Sequence, residues 1–410
     1  MTPYELRQIQ LIGIESGYRA SSSTWWVDGS ADLDGVGAAE IDHVRFAVVC
    51  KDWRSLSKEY NQATQRWRNI LPMLLIPSEC HGKSSLTTRK LVYSISQGKI
   101  LDDHKLRVPF SKRCCGSSHG WVATIEYQTD QGLIIALRNS FRKAWSIYLP
   151  PLDAKVPEGN TGYHEFYVPK VVLSSDPALD PKNYVAAAIC GSNCILAFTK
   201  RGQTHWTYIK RKSFLFDVIF HKGHACTVGK LRTIVSWDVA SLDCNPLCPP
   251  KAKILSPRNP SYQHLKAYLV ELTNEDLLYV RRLYKATTAG ATTTGFRVYK
   301  CVFNHQDGTI ADYVEVKSIG DETLFVGDNH SLSILASNIP TCLPNSIYFT
   351  DDLAPSFGRF KTSDGTRPSD DMGIFNLEDG TITQHYSLDS RLRGYIPPAI
   401  WVVPPFDGLC

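Results

Sequence analysis

Three adjacent residues, Asp328, Asn329 and His330 in "GDNHSLS" (327–333), are of the types that make a general base or a metal-ligand set. Neither chemistry is completed, because no second His or carboxylate stands at a ligand spacing. Asp and Asn at a strand start bond their own backbone instead, so a structural turn is the reading adopted. "GSSHGW" (116–121) sets Ser117 and Ser118 beside His119, a pairing that could serve nucleophilic chemistry. A nucleophile elbow, however, needs Gly-x-Ser-x-Gly between a strand and a helix, and here the flanks read as strand on both sides. A turn is expected again.

The cysteine pairs "CGSNC" (Cys190, Cys194) and "CNPLC" (Cys244, Cys248) fall within the loose spacing of zinc ligands. Neither has the second pair that a structural zinc needs, and both are expected to be core or turn thiols. "HKGH" (His221, His224) reads as a hairpin turn. "KRGQTHWTYIKRK" (200–212) interleaves basic and aromatic residues as nucleic-acid surfaces do, but a half-buried hairpin produces the same alternation without a ligand. "ATTAGATTTG" (286–295) lacks the Lys-Ser/Thr of a phosphate loop. No cofactor and no metal are expected.

The elements that carry these residues are strands. After Pro77, short apolar runs alternate with Gly, Pro, Asn and Asp clusters, as in "GWVATIEYQTDQGLIIALRN" and "FLFDVIFHKGHACTVGKLRTIVSWDV". At roughly 40 to 50 residues per unit, this region divides into about six to seven propeller blades. Closure also removes the exposed sheet edges that a large β protein must manage. The fold expected is mainly β: a single β-propeller over 80–390 and a C-terminal tail over 391–410. A polar, poorly ordered stretch over 1–24 and a helical segment over 25–75 precede it. In that segment Phe46, Val49, Cys50 and Trp53 stand at i, i+3, i+4 and i+7 and share one helical face.

The 410 residues are 43% hydrophobic and 21% charged, a globular composition able to bury a sizeable core. A net charge of +5 is too mild to imply a nucleic-acid partner. Twelve scattered cysteines, no secretory signal and no long apolar run lead to an expectation of reduced thiols and no membrane span. The compartment expected is nucleus, cytoplasm or both, and not the secretory route.

Six motifs occur in order: "GSSHGW", "LPPL" (149–152), "KVVLSSDP" (170–177), "FDVIFHKG" (216–223), "FVGDNHSLSILA" (325–336) and "PNSIYFTDD" (344–352). Together they resemble plant F-box proteins that carry the KIB-type β-propeller, over roughly residues 40 to 385. "RFAVVCKDWRSL" (45–56) resembles the C-terminal half of an F-box, the small helical bundle that docks on the Skp-type adaptor of an SCF ubiquitin ligase. The resemblance implies that Phe46, Val49, Cys50 and Trp53 pack that bundle and contact the adaptor. Its first half is degenerate here. "WWVDGSADLDGVGAAEI" (25–41) has no Leu-Pro opening, and Gly29, Gly35 and Gly37 each cost a helix about 1 kcal/mol relative to Ala.

The function implied is non-enzymatic: a substrate-recognition subunit of an SCF-type E3 ubiquitin ligase. Its helices would engage the adaptor and cullin core, and its propeller loops would hold an unidentified protein substrate. The alternative is a KIB-type propeller without a working F-box that inhibits or sequesters its partner. An enzyme with its site in the central channel is a third reading. It requires at least two convergent ionisable side chains there.

Overall fold

The computed structural model describes residues 72–77, 90–94, 99–101, 113–128, 132–139, 146–153, 167–191, 193–209, 214–243, 248–257, 266–287, 290–339, 341–352, 371–384 and 398–403. Three strands come first: β1 (Met73–Pro77), β2 (Lys90–Ser94) and β3 (Lys99–Leu101). Blade 1 follows as β4 (Cys114–Ser118), β5 (Trp121–Gln128), β6 (Gly132–Asn139) and β7 (Ser146–Tyr148). Blade 2 is β8 (Lys170–Leu173), β9 (Val185–Cys190), β10 (Ile195–Lys200) and β11 (Thr207–Tyr208). Blade 3 is β12 (Leu215–His221), β13 (His224–Gly229), β14 (Ile234–Asp238) and β15 (Lys251–Ser256).

Blade 4 is β16 (Lys266–Glu271), β17 (Leu277–Thr287), β18 (Gly290–Phe303) and β19 (Ile310–Val316). Blade 5 has five strands: β20 (Glu322–Val326), β21 (Leu332–Leu335), β22 (Ser346–Phe349), β23 (Gly373–Asn376) and β24 (Ile382–Thr383). Their order is β21-β20-β22-β23-β24, with β20 parallel to β22. Finally β25 (Ile400–Val402) pairs antiparallel with β1, Leu74 opposite Trp401, and so joins both ends of the strand region in one closing sheet.

Burial explains the strand compositions. All six residues of β9, "VAAAIC", are buried, because each inner strand is covered by neighbouring sheets on both faces. The outer strand β19 is largely exposed and mixes Asp312 and Glu315 with Val314. Apolar wedges fill every gap around the ring. Leu173 and Ala186 of blade 2 pack with Trp121 and Leu137 of blade 1. Phe198 of blade 2 packs with Trp237 of blade 3. Ile219 meets Leu269 between blades 3 and 4, and Tyr268 meets Leu324 between blades 4 and 5. The closing sheet packs Leu74 and Trp401 on Phe325 of blade 5, and Leu75 and Ile400 on Val122 of blade 1. The ring is shut.

Two hairpin turns show the local chemistry. His119–Gly120 and Lys222–Gly223 all have positive φ (53° and 79°, then 47° and 76°). That is the two-residue turn whose twist matches its strands, and glycine takes its second place without strain. Both "GSSHGW" and "HKGH" are therefore turns, as read.

Three expectations change. Five blades arise from consecutive strands against the expectation of about six to seven, and the sixth sheet of the ring, β25-β1-β2-β3, is assembled from both ends of the strand region. Residues 73–75 belong to β1, not to a helical segment, and β25 lies inside the span expected to be a tail. Propeller strands thus extend beyond 80–390 at both ends. Residues 25–71, with Phe46, Val49, Cys50 and Trp53, lie outside the described residues. Among the described residues no helix is long and apolar enough to cross a membrane.

Candidate functional site on the propeller axis

The inner strands bring polar residues to a common place by position alone. Arg113 immediately precedes β4, Lys170 opens β8, Asp217 is the third residue of β12, Lys266 opens β16 and Ser331 immediately precedes β21. The β20–β21 connection, Gly327–Ser331, completes the cluster. His330 N donates to Ser117 O at 2.8 Å on blade 1. Lys170 Nζ of blade 2 donates to Gly327 O at 3.2 Å. Phe220 N of blade 3 donates to His330 Nε2 at 3.0 Å. Blades 1, 2 and 3 are not ring neighbours of blade 5. One five-residue segment reaches all three only by crossing the axis.

Ion pairs tie this segment to the blades. Arg113 donates to Asp328 and, at 3.0 Å, to Val168 O. Lys170 pairs with Asp217, whose Oδ1 also accepts Val218 N and whose Oδ2 accepts Leu269 N, each at 2.9 Å. Lys266 pairs with Asp352 at 3.0 Å. Arg282 bridges blades 4 and 5, donating to Asp352 at 2.9 Å, Asp371 at 3.0 Å, Thr293 Oγ1 at 2.7 Å and Thr350 O at 2.9 Å. Its guanidinium also lies 4.6 Å from the Phe349 ring centre. Four cations face four carboxylates, so the network is formally neutral.

Burial and pairing set the protonation states. Burial raises the Asp217 carboxyl above its ordinary value, against the opposing pull of Lys170. Asp328 is raised in the same way, against Arg113. For Asp352, burial also pushes upward, but Lys266 and Arg282 outweigh it and hold the group below the usual range. Burial would lower Lys266, and Asp352, Asp328 and Asp217 together raise it instead. His330 is pushed down to about 3 by burial, then by His119 and Lys170. It is neutral, as an Nε2 accepting a backbone N–H must be.

Convergent ionisable side chains, the condition set by the enzyme reading, are therefore present. Their accessibility is not that of a reaction centre. The Lys170, Asp217, Asp352 and Arg282 side chains are at most 1% exposed, and each is held by protein partners. A base or nucleophile needs a lone pair that substrate can reach. The arrangement cross-links blades, and "GDNHSLS", expected to be a structural turn, also joins blade 5 to blades 1, 2 and 3. Buried pairs of this kind impose geometry more than they add stability.

The Cys190 and Cys194 thiols are structural too. Burial raises the Cys190 thiol to about 12 and the Cys194 thiol to about 11, far from a metal-binding thiolate. Cys248 is exposed, and Cys244 lies outside the described residues. Among the described residues no group of three or more His, Cys, Asp or Glu could hold a metal. His221 Nδ1 meets Glu271 at 2.8 Å across blades 3 and 4. In "KRGQTHWTYIKRK", Trp206 is buried and donates to Pro150 O at 2.8 Å, while Arg201 and His205 face solvent; residues 210–212 lie outside the described residues. Arg113, Lys266, Arg282 and Asp371 belong to no motif singled out above. The usable signal was charge inside or beside an apolar strand, as in "YVRRLY".

The KIB1-4 β-propeller family model matches residues 92–376. A putative F-box protein of Arabidopsis thaliana is 25% identical across 86% of this chain and 91% of its own. Another Arabidopsis F-box protein is 25% identical across 93% of this chain and the whole of its own length. A solved Bacteroides caccae protein of unknown function aligns over 81% of this chain and 99% of its own, with 12% identity and a TM-score of 0.37.

Proposed function

The chain belongs to the KIB1-4 β-propeller family, and from that premise we propose that it is a substrate-recognition subunit of an SCF-type ubiquitin ligase. The observation that carries this reading is the extent of similarity to proteins named as F-box proteins. An alignment over 93% of this chain leaves about 29 residues outside it, fewer than the 56 that would have to be cut from the front to exclude "RFAVVCKDWRSL". Phe46, Val49, Cys50 and Trp53 then pack the F-box bundle against a Skp-type adaptor, in nucleus or cytoplasm. The propeller holds the target. No bond is made or broken by this chain; it raises the effective concentration of target lysines at a cullin core. The paired, buried state of the axial charges supports a rigid non-catalytic platform, from which loops recognise a partner.

The test is co-expression of the full chain with a plant Skp-type adaptor. The two should co-purify, and the double change Phe46→Ala/Trp53→Ala should abolish this while the circular dichroism of the propeller is retained. Failure of the unaltered chain to hold the adaptor overturns the ligase reading. It would leave the alternative, a binding protein that sequesters its partner, which the Gly- and Asp-rich 25–41 segment favours.

A further inference from the structure

The chain segments after β19, before β22 and after β23 meet around a groove of about 560 Å³ at blade 5. Its lining includes Lys317, Leu343, Pro344, Asn345, Asn376 and Glu378. The two carboxamides are oriented by the backbone: Asn345 Oδ1 accepts Ile319 N at 2.9 Å, and Asn376 Oδ1 accepts Glu378 N at 2.8 Å. Each oxygen has one lone pair engaged in this way, and each Asn also carries an Nδ2 donor pair that can serve a ligand. Leu343 is 48% exposed, and Pro344 is exposed beside it, so the groove has a small apolar part. Lys317 and Glu378 are both exposed, and neither has an ion-pair partner among the described residues.

We propose that this groove binds an extended segment of the target protein in which an acidic side chain adjoins an apolar one. The inference rests on the reading that the propeller holds a target. The carboxylate of the segment faces Lys317 and the Asn345 and Asn376 donors, as charge-assisted hydrogen bonding prefers. Its apolar neighbour covers Leu343 and Pro344. Glu378 sets a limit on charge: a polyanion such as a nucleic acid or a phosphate cluster would be repelled, whereas a single carboxylate flanked by backbone N–H groups is accommodated. The lining carries one cation, one anion and two carboxamides, which suits a peptide better than a polyion of either sign.

Panning the full chain against displayed random peptides tests this directly. Enriched sequences should carry Asp or Glu next to Leu, Ile, Val or Phe. A synthetic peptide of that sequence should lose about tenfold or more in affinity on Lys317→Glu, because a like charge then faces its carboxylate. Leu343→Ser should weaken it independently. Both positions are solvent-exposed, so the fold is not at stake. Absence of enrichment, enrichment of peptides without an acidic residue, or affinity indifferent to Lys317→Glu each overturns the inference. Adaptor co-purification should be untouched by Lys317→Glu. Loss of the groove with retained adaptor binding therefore removes this site alone, and the reverse outcome removes the ligase reading alone.

Discussion

His330 Nε2 accepts the backbone N–H of Phe220 at 3.0 Å, joining the blade 5 crossover segment to blade 3. The bond exists only while that nitrogen is unprotonated. The neighbours bearing on its titration are His119 from the blade 1 turn and Lys170 from blade 2, and both disfavour a second positive charge.

A pH dependence follows from the folded-state value of about 3, below the ordinary histidine value of 6.5. Between those values the unfolded chain binds the proton that the folded chain refuses, so stability falls as pH drops from about 6.5 towards 3. His330→Gln keeps an acceptor for Phe220 N without the titration. Thermal unfolding of both proteins at pH 7 and pH 5 should show a larger loss in the unaltered chain. Equal losses would refute the assignment. The raised carboxyls Asp217 and Asp328 act in the opposite sense and are common to both proteins, so they cancel in the comparison.

The Lys170–Asp217 pair should behave as a buried pair whose value lies in being complete. Lys170→Met leaves Asp217 buried without its cation and should cost about 3–5 kcal/mol. Adding Asp217→Asn removes the stranded charge yet keeps an oxygen for a backbone donor, so the double variant should be more stable than the single. Urea unfolding resolves the two outcomes; a double variant less stable than Lys170→Met would contradict the pairing.

Gly116, in "GSSHGW", sits where blade 1 touches blade 2. A Cβ added there would stand 2.0 Å from Val171 O and 3.0 Å from Val171 Cβ. The obstacle is backbone, which cannot rotate aside. Gly116→Ala should cost about 1–3 kcal/mol or more through overpacking, seen as a fall in the unfolding midpoint. A neutral substitution would mean that the two inner strands are not this close.

Much of the candidate site was present in the sequence as motifs whose convergence was not. "KVVLSSDP", "FDVIFHKG", "FVGDNHSLSILA" and "PNSIYFTDD" supply Lys170, Asp217, Asp328–Ser331 and Asp352 to one cluster. Each motif reads locally as strand or turn, because Asp and Asn at strand starts have ordinary backbone uses. Only ring closure shows that the starts of successive inner strands point to one axis. Arg282 was hidden differently. "VRRLY" alternates in a strand, and period-two patterning cannot say which arginine faces a neighbouring blade and which faces water. The β20–β22 parallel pair was also illegible, since β21 intervenes and chain order then departs from spatial order.

The same reasoning applies to β25, whose "IWV" has no hairpin partner nearby in sequence because its partner is β1, at the other end of the strand region. Trp401 is fully buried, with its ring 5.1 Å from Phe325 and 6.1 Å from Tyr348. It therefore fastens the closing sheet to blade 5, and Trp401→Ala should cost about 3–5 kcal/mol through the cavity it opens. Deleting residues 398–410 removes the whole strand and exposes the β1 edge, a template for pairing with another chain. The truncated protein should elute from a sizing column as oligomers or aggregate, whereas Trp401→Ala should remain in its original state and simply unfold earlier. If truncation left both the elution volume and the unfolding midpoint unchanged, the closing sheet would not be what holds the ring shut.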